Sequence, residues 1–357
     1  MRIALMVRNL TEGGAERVAS LWAAGFYKRG HVVEVIISDK NAPITYSLPE
    51  GVILSNVFFQ HHNKLYRFAG NILSLRKELK AFGPDVIIDV SPRWMRRIAM
   101  VGVSGVKIST EHWSFERPAN AVMQPKKINK IYLNRLYDFV TVLTQADKDV
   151  IGNQLKHVAV LPNPLSLKPA VNLPKKENII LAAGRLDGWH VKGFDVLIKA
   201  WSMACEEAKG WRLQIAGGGS DKSKEYLKKM CKNEHVEDRV DFLGYQSEIQ
   251  PYFAKASVFV LSSRYEGFGL VLIEAMSQGC ACVACDFKGR QKEIIKTDAE
   301  GVICEPENEK ALCNAILSLV KNEEKRKQIG EHSIIRSKDY CIDKIMERWD
   351  KILNNLI

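Results

Sequence analysis

Short apolar runs alternate along the whole chain with stretches whose apolar residues recur every three or four positions. This alternation predicts parallel strands joined by helices. In the first half, residues 2–7, 32–38, 86–90, 107–109 and 139–143 read as strands. A helix from Leu65 to Phe82 stops at Gly83-Pro84, because proline cannot continue it, and the run Asp85-Val-Ile-Ile-Asp-Val90 follows directly. Val158-Ala-Val-Leu161 leads into a proline-rich stretch, Pro162 to Pro174, which reads as a linker. The second half repeats the pattern with strands at residues 179–183, 212–216, 240–243, 258–261, 282–285 and 301–304, then a charged helix over 323–335 and a terminal helix over 341–356. The expected fold is therefore α/β, with two Rossmann-like doubly wound domains facing a central cleft. Residues 1–165 and 166–340 are the expected domains, with 341–357 packing back on the first. In such sheets ligands sit at the carboxyl ends of the strands, which directs attention to the loops that follow them.

Composition agrees with two cores, since 357 residues exceed what one ordinary core supports. Hydrophobic residues make up 46% of the chain, yet no uninterrupted apolar run approaches the roughly 20 residues of a membrane helix. Met1 to Arg8 reads as a first strand, not a leader peptide, because Arg8 interrupts its short apolar core and no small-residue cleavage pattern follows. A cytoplasmic location is expected. All eight cysteines fall after residue 204, three of them in Gly279-Cys-Ala-Cys-Val-Ala-Cys-Asp286. A metal knuckle is the alternative there, but strand alternation sends Cys280 and Cys282 to one face and Cys285 to the other, so buried free thiols are expected. Charge is uneven: residues 1–168 carry 23 Lys and Arg against 13 Asp and Glu, whereas the remainder carries 29 against 28. A basic first half suggests a polyanionic partner, whether an acidic membrane face, a pyrophosphate-bearing lipid or nucleic acid.

The most informative segment is Ser262-Ser-Arg-Tyr-Glu-Gly-Phe-Gly-Leu-Val-Leu-Ile-Glu-Ala-Met-Ser-Gln-Gly279, which sets Glu266 and Glu274 eight positions apart across a helix start. Gly267 and Gly269 let backbone approach a ligand, and the unpaired N–H groups around Phe268, Gly269 and Leu270 offer donors and a positive dipole end to a diphosphate. An ionised carboxylate only accepts hydrogen bonds, so Glu274 suits vicinal ribose hydroxyls and Glu266 the hydroxyls of a sugar. The competing reading is a capped surface helix with two solvated glutamates.

Four further places bear on chemistry. Gly184-Arg-Leu-Asp187 and Lys192-Gly193 follow the first strand of the second half, where Arg185 as a fork and Lys192 as a point charge suit a diphosphate; taken singly, each also suits a solvated surface. Asp195 reads as part of the next helix start. Gly13 and Gly14 follow the first strand and resemble a phosphate loop, although neither the dinucleotide fingerprint nor a P-loop lysine is present. His112, in Thr110-Glu-His-Trp-Ser114, stands at another strand end and suits a sugar hydroxyl or developing charge. Asp147 and Asp149 have a chelating spacing but sit at a helix start after Thr144, so capping is expected and no metal is predicted. Finally, residues 126–137 place Ile128, Ile131, Tyr132 and Leu136 on one helical face with Lys126, Lys127 and Lys130 around the other; this suits either an anionic membrane surface or an ordinary core-facing helix.

Together, Glu-Gly-Phe-Gly-Leu-Val-Leu-Ile-Glu-Ala from Glu266, Gly184-Arg-Leu with Lys192-Gly, and Gly13-Gly-Ala-Glu-Arg17 resemble the retaining glycosyltransferases of family 4, which have the two-domain GT-B fold. The resemblance spans essentially the whole chain. It implies that Arg185 and Lys192 bind the donor diphosphate and neutralise the leaving group, that Glu274 holds the ribose, and that Glu266 with the amides of Phe268, Gly269 and Leu270 holds the donor sugar. It implies further that His112 stands beside that sugar, that Gly13, Gly14, Gly184 and Gly267 shape the site, and that Glu248 lies near the base. His112, Glu266, Arg185 and Lys192 are thus the expected catalytic residues, no metal or cofactor is required, and retention follows from attack on the face that the diphosphate leaves. The loop Phe287-Lys-Gly-Arg-Gln-Lys-Glu-Ile-Ile295 departs from the small glycine-rich turn common in relatives, and Lys288 and Arg290 stand where they would alter donor contacts.

The expected activity is transfer of a hexose or N-acetylhexosamine from a nucleotide-sugar, a UDP-sugar first among them, to a lipid-linked saccharide in surface polysaccharide assembly. The basic half would hold the enzyme on the inner face of the cytoplasmic membrane. A nucleotide-sugar epimerase of the same architecture is a second reading. A basic nucleic-acid-binding protein is a third, against which no aromatic interleaving or binding module is present.

Overall fold

The computed structural model describes residues 1–11, 13–39, 43–118 and 127–356, without the side chains of Lys127 and Ile128. Two compact units are present, one formed by residues 1–166 with the terminal segment from Ile342, the other by Leu167–Cys341. In the first, β1 (Arg2–Met6) leads through α1 (Gly14–Lys28) to β2 (Val32–Ile37) and β3 (Ile53–Asn56). Then come α2 (Lys64–Phe82), β4 (Val86–Val90), α3 (Trp94–Ala99), β5 (Val106–Glu111), α4 (Lys127–Asn134), β6 (Phe139–Val142), α5 (Gln145–Ile151) and β7 (Val158–Val160). Their order is β3-β2-β1-β4-β5-β6-β7, with every pairing parallel. The central strands β1 and β4 are covered on both faces, which is why they read as continuous apolar runs. The terminal helix Ile342–Asn354 packs on α1, where Trp349 meets Trp22 edge-on at 5.2 Å between ring centres and Phe26 at 5.5 Å.

The second unit runs β8 (Glu177–Ala183), α6 (Trp189–Lys192), α7 (Phe194–Ala204), β9 (Arg212–Ala216), α8 (Asp221–Asn233), β10 (Val240–Gly244) and α9 (Gln250–Lys255). It continues with β11 (Ala256–Leu261), α10 (Leu270–Ser277), β12 (Ala281–Cys285), β13 (Val302–Cys304), α11 (Glu309–Val320) and α12 (Glu323–Ser337). The strand order is β10-β9-β8-β11-β12-β13, again parallel throughout. Each sheet reverses its winding once, between β1 and β4 in the first unit and between β8 and β11 in the second. That switch point is where a doubly wound sheet opens a crevice beyond its strand ends.

The expected strands are present within a few residues at either end. β3 was not anticipated: only four residues long and at the sheet edge, it exposes much of its surface and lacks the apolar run that marks a buried strand. The helical face expected around residues 126–137 is corrected. Ile131 is buried, but Tyr132 and Leu136 are exposed, while Lys130, Leu133, Asn134 and Tyr137 turn inward; Lys126 and the side chains of Lys127 and Ile128 lie outside the described residues. The reason is a buried carboxylate: Glu111 at the end of β5 pairs with Lys130 Nζ at 2.8 Å and accepts from Asn134 Nδ2 at 2.7 Å, so α4 spends two core-facing positions on polar partners. Asp147 and Asp149 do not converge. Asp147 N–H is capped by Thr144 Oγ1 and its carboxylate accepts from Phe115 N–H at 2.8 Å, while Asp149 accepts from Gln145. Cys280, Cys282 and Cys285 are buried thiols; Cys285 lies 3.6 Å from Cys304 across the β12–β13 register pair. Among the described residues no helix is long and apolar enough to cross a membrane, and no three His, Cys, Asp or Glu side chains gather as a metal site.

Candidate active site

In the second unit Gly184, Arg185, Lys192, Glu266 and the Phe268–Leu270 segment lie on the two chain segments that leave the β8/β11 switch point, whereas Glu248 follows the edge strand β10. β8 ends at Ala183 and runs through Gly184 and the exposed Arg185 into a short turn and α6; β11 ends at Leu261 and runs through Ser262–Gly269 into α10. The two loops are joined by direct bonds. Lys192 Nζ donates to Glu266 Oε2 at 2.8 Å, and Ser263 Oγ donates to the same oxygen at 3.3 Å. Ser262 Oγ donates to Lys192 O at 2.8 Å, and Arg264 N–H donates to Val191 O at 2.9 Å. Gly193 makes this approach feasible, because its φ is +64° and a Cβ there would stand 2.0 Å from Ser262 O.

Arg264, which sequence reasoning did not single out, is the main fastener. Its guanidinium holds both carboxylate oxygens of Asp195 at 2.7 and 2.8 Å, Glu307 at 2.7 Å and His190 O at 2.6 Å. A planar fork suits a bidentate carboxylate, so Arg264 fixes the start of α7 against the loop carrying Glu266. Asp195, expected as part of a helix start, indeed stands in the first turn of α7, but its carboxylate serves Arg264. Asp187 is likewise occupied: it accepts from Ser220 N–H and the hydroxyls of Ser220 and Ser223 at the start of α8, and these bonds hold its carboxyl down to about 2.

Glu274 contradicts the solvated-helix reading, since only 2% of its surface is exposed. Gly269, at φ +101°, precedes the first residue of α10, and Phe268 beside it is buried edge-on against Tyr340. The amide-bearing segment Phe268–Leu270 therefore has a fixed course at the carboxyl edge of β11. The departing loop supports it: Gln291 accepts from Phe287 N–H at 2.7 Å and donates to Phe268 O at 3.4 Å. Arg290 does not project outward but is fully buried with its guanidinium 4.9 Å from the Phe287 ring, whereas Lys288 is exposed. Glu248, exposed after β10, lines a shallow hollow of about 410 Å³ with Gln246, Ser247, Pro251, Tyr252 and Lys255.

In the first unit, Gly13 and Gly14 sit where the chain leaves the β1 edge and enters α1. His112 directly follows β5. Its Nε2 lies 3.3 Å from Thr110 Oγ1, its ring is 5.7 Å from that of Trp22, and its Nδ1 is shut off from solvent without a hydrogen-bond partner. Burial drives its pKa down to about 4, against a smaller upward pull from Asn163, so the imidazole is neutral throughout the physiological range. Nearby, Asp89 at the core of β4 is fully buried and pairs with Arg96 at 2.9 Å while accepting from Tyr137 Oη at 2.6 Å; burial raises its pKa against both partners.

Two doubly wound parallel units, the second with an Arg/Lys/Glu constellation and a glycine-flanked helix start at its switch point, have the architecture of GT-B transferases. Comparison with known proteins agrees. The family model for glycosyl transferases group 1 matches residues 166–336, and that for glycosyltransferase family 4 matches residues 12–168. An amylovoran biosynthesis glycosyltransferase of Erwinia amylovora is 32% identical over 69% of this chain and 70% of its own. A GalNAc-α-(1→4)-GalNAc-α-(1→3)-diNAcBac-PP-undecaprenol α-1,4-N-acetyl-D-galactosaminyltransferase of Campylobacter jejuni is 27% identical over 99% of this chain and 98% of its own. Among solved structures, the TarM G117R mutant of S. aureus, in complex with fondaparinux, α-GlcNAc-glycerol and UDP, superposes with a TM-score of 0.83 at 17% identity over 99% of both chains. The chain belongs to glycosyltransferase family 4, and it is a glycosyltransferase. The epimerase and nucleic-acid readings left open by the sequence give way to this assignment.

Proposed function

We propose that the enzyme transfers a hexose or N-acetylhexosamine from a UDP-sugar, with retention of anomeric configuration, to a lipid-linked saccharide in polysaccharide assembly. The second unit binds the donor. Arg185 and Lys192 neutralise the diphosphate, Glu274 accepts from the ribose hydroxyls, Glu266 and the Phe268–Leu270 amides hold the sugar, and Glu248 lies toward the base. The observation that carries this reading is the Lys192–Glu266 pair at 2.8 Å, beside the glycine-flanked start of α10. An anion reaching Lys192 gains a cation already positioned, and Glu266 released from it turns its acceptor oxygens to sugar hydroxyls.

The first unit takes the acceptor. His112, held neutral by burial, can orient a sugar hydroxyl but cannot supply a full positive charge at neutral pH. The departing diphosphate is then the group that receives the acceptor proton, consistent with attack on the face it leaves. A lipid-linked acceptor is supported by the named substrate of the Campylobacter relative and by the basic first half. Peripheral association with an anionic inner membrane face belongs to the same reading, and no metal is assigned a role. Calorimetric titration of UDP into wild type, Arg185→Ala and Glu274→Ala tests the donor assignment: wild type binds and both variants weaken at least tenfold. Equal binding by all three refutes it, and an inverted anomer in the product refutes retention.

A further inference from the structure

The core-facing side of α2 is Asn71, Leu75, Leu79 and Phe82, at the helical spacing of a buried stripe. A second stripe at the same spacing runs along the opposite side: Tyr66, Ala69, Leu73, Lys77 and Lys80, with Leu65 beside its start. An ordinary surface helix presents charged and small polar residues there, but this one presents apolar residues for two turns and lysines for the next. Neighbouring α3 does the same, leaving Trp94, Ile98 and, just past its end, Val101 exposed. Leu65, Tyr66, Leu73 and Trp94 are each at least 60% exposed. The two helices share one surface, because Arg76 of α2 donates to the carbonyls of Ile98 and Ala99 at 2.9 and 3.2 Å.

We propose that this outward face of α2 and α3 is the surface by which the enzyme docks on an anionic lipid bilayer. Charge complementarity selects that occupant. α2 carries Lys64, Arg67, Arg76, Lys77 and Lys80 against a single acidic residue, Glu78, and Glu78 is turned toward the sheet, sharing the Ser55 hydroxyl with Glu34. Large apolar side chains next to lysines, with no outward acid between them, match an interface that offers acyl chains beneath negative headgroups. A basic surface without apolar anchors would suit any polyanion; the exposed Trp and Leu are what favour a bilayer. The inference rests on the lipid-linked acceptor reading only for the presence of a membrane, and it moves the contact away from α4, whose Lys130 is committed to Glu111.

Sedimentation with vesicles tests it, using phosphatidylethanolamine with phosphatidylglycerol against phosphatidylcholine alone, and no donor or acceptor present. Wild type should bind the anionic vesicles at least tenfold more tightly than the neutral ones. Leu73→Ser with Trp94→Ser should lose at least tenfold on anionic vesicles. Lys77→Ala with Lys80→Ala should lose severalfold and show a shallower salt dependence, while Tyr132→Ser with Leu136→Ser on α4 should bind like wild type. All of these positions are exposed, so folding is not at stake. Unchanged binding by the α2/α3 variant, or loss only in the α4 variant, overturns the proposal. So does a wild-type dimer in analytical ultracentrifugation that the Leu73/Trp94 variant abolishes, which would make the face an interface between two copies. UDP binding is read separately and should be the same in every variant, so failure of docking and failure of the donor assignment are distinguishable.

Discussion

Gly193 is where the geometry of the site is most exposed to a single methyl group. At φ +64° a non-glycine residue costs about 1–2 kcal/mol from its own backbone. Space adds more: the alanine Cβ would lie 2.0 Å from Ser262 O, so the α6 and β11 loops must part by more than 1 Å to reach ordinary contact near 3.4 Å. That movement separates Lys192 from Glu266 and strains the Ser262 Oγ bond to Lys192 O. A displacement of about 1 Å at positioned groups costs on the order of 10²-fold in rate. Gly193→Ala is therefore expected to lower stability by about 2 kcal/mol or more and transfer about a hundredfold. Gly188→Ala is the control, because no atom stands within 4 Å of its added methyl and its φ is negative, and it should match wild type. The readouts are urea unfolding followed by tryptophan fluorescence, and the rate of nucleotide release from donor. Wild-type turnover in Gly193→Ala would refute the claim that the Gly193–Ser262 contact sets the site.

Glu34, buried beneath α2 and sharing Ser55 with Glu78, has a carboxyl pushed up to about 7 from 4.5, chiefly by burial. The folded state thus holds a proton that the unfolded chain has released, so stability present below pH 4.5 is lost as pH rises through 7. Glu34→Gln should remove that dependence and stabilise the first unit by up to about 3 kcal/mol at pH 8, from 1.4 kcal/mol per unit, with no gain at pH 4; equal gain at both pH values would contradict the assignment. Arg264→Ala and Arg264→Lys should both cut turnover by about tenfold or more in steady-state assays, since an ammonium cannot replace the two-pronged bond to Asp195. Full activity in Arg264→Lys would show that charge alone suffices. The His112 ring resonances should not titrate between pH 5 and 8 in NMR spectra, because burial holds its pKa near 4; a midpoint near 6.5 would refute the enclosed geometry.

The hydrophobic pattern made the parallel strands legible because buried strands must be apolar on both faces, as in β4, β11 and β12. It failed at β3, an exposed edge, and at α4, where burial of Lys130 depends on Glu111, nineteen positions away, and so leaves no local trace. The candidate site was legible where residue type and backbone freedom coincide: Gly193 and Gly269 precede the helices α7 and α10, and Glu274 lies one turn into α10. Arg264 was not, because its partners Asp195 and Glu307 are brought to it only by the sheet order. The outward stripe of α2 was equally hidden, since its apolar residues cannot be told from core residues until the buried side is known.

Transfer itself decides the central claim. A panel of radiolabelled UDP-, GDP- and ADP-sugars, incubated in EDTA with a lipid-linked saccharide extract, is assayed for label in the lipid fraction with wild type and Glu274→Ala. The account predicts label carried into lipid from a UDP-sugar by wild type and lost in Glu274→Ala. Label entering lipid only from GDP- or ADP-sugars, or a UDP-sugar converted in solution to its epimer with none reaching the lipid, would contradict it.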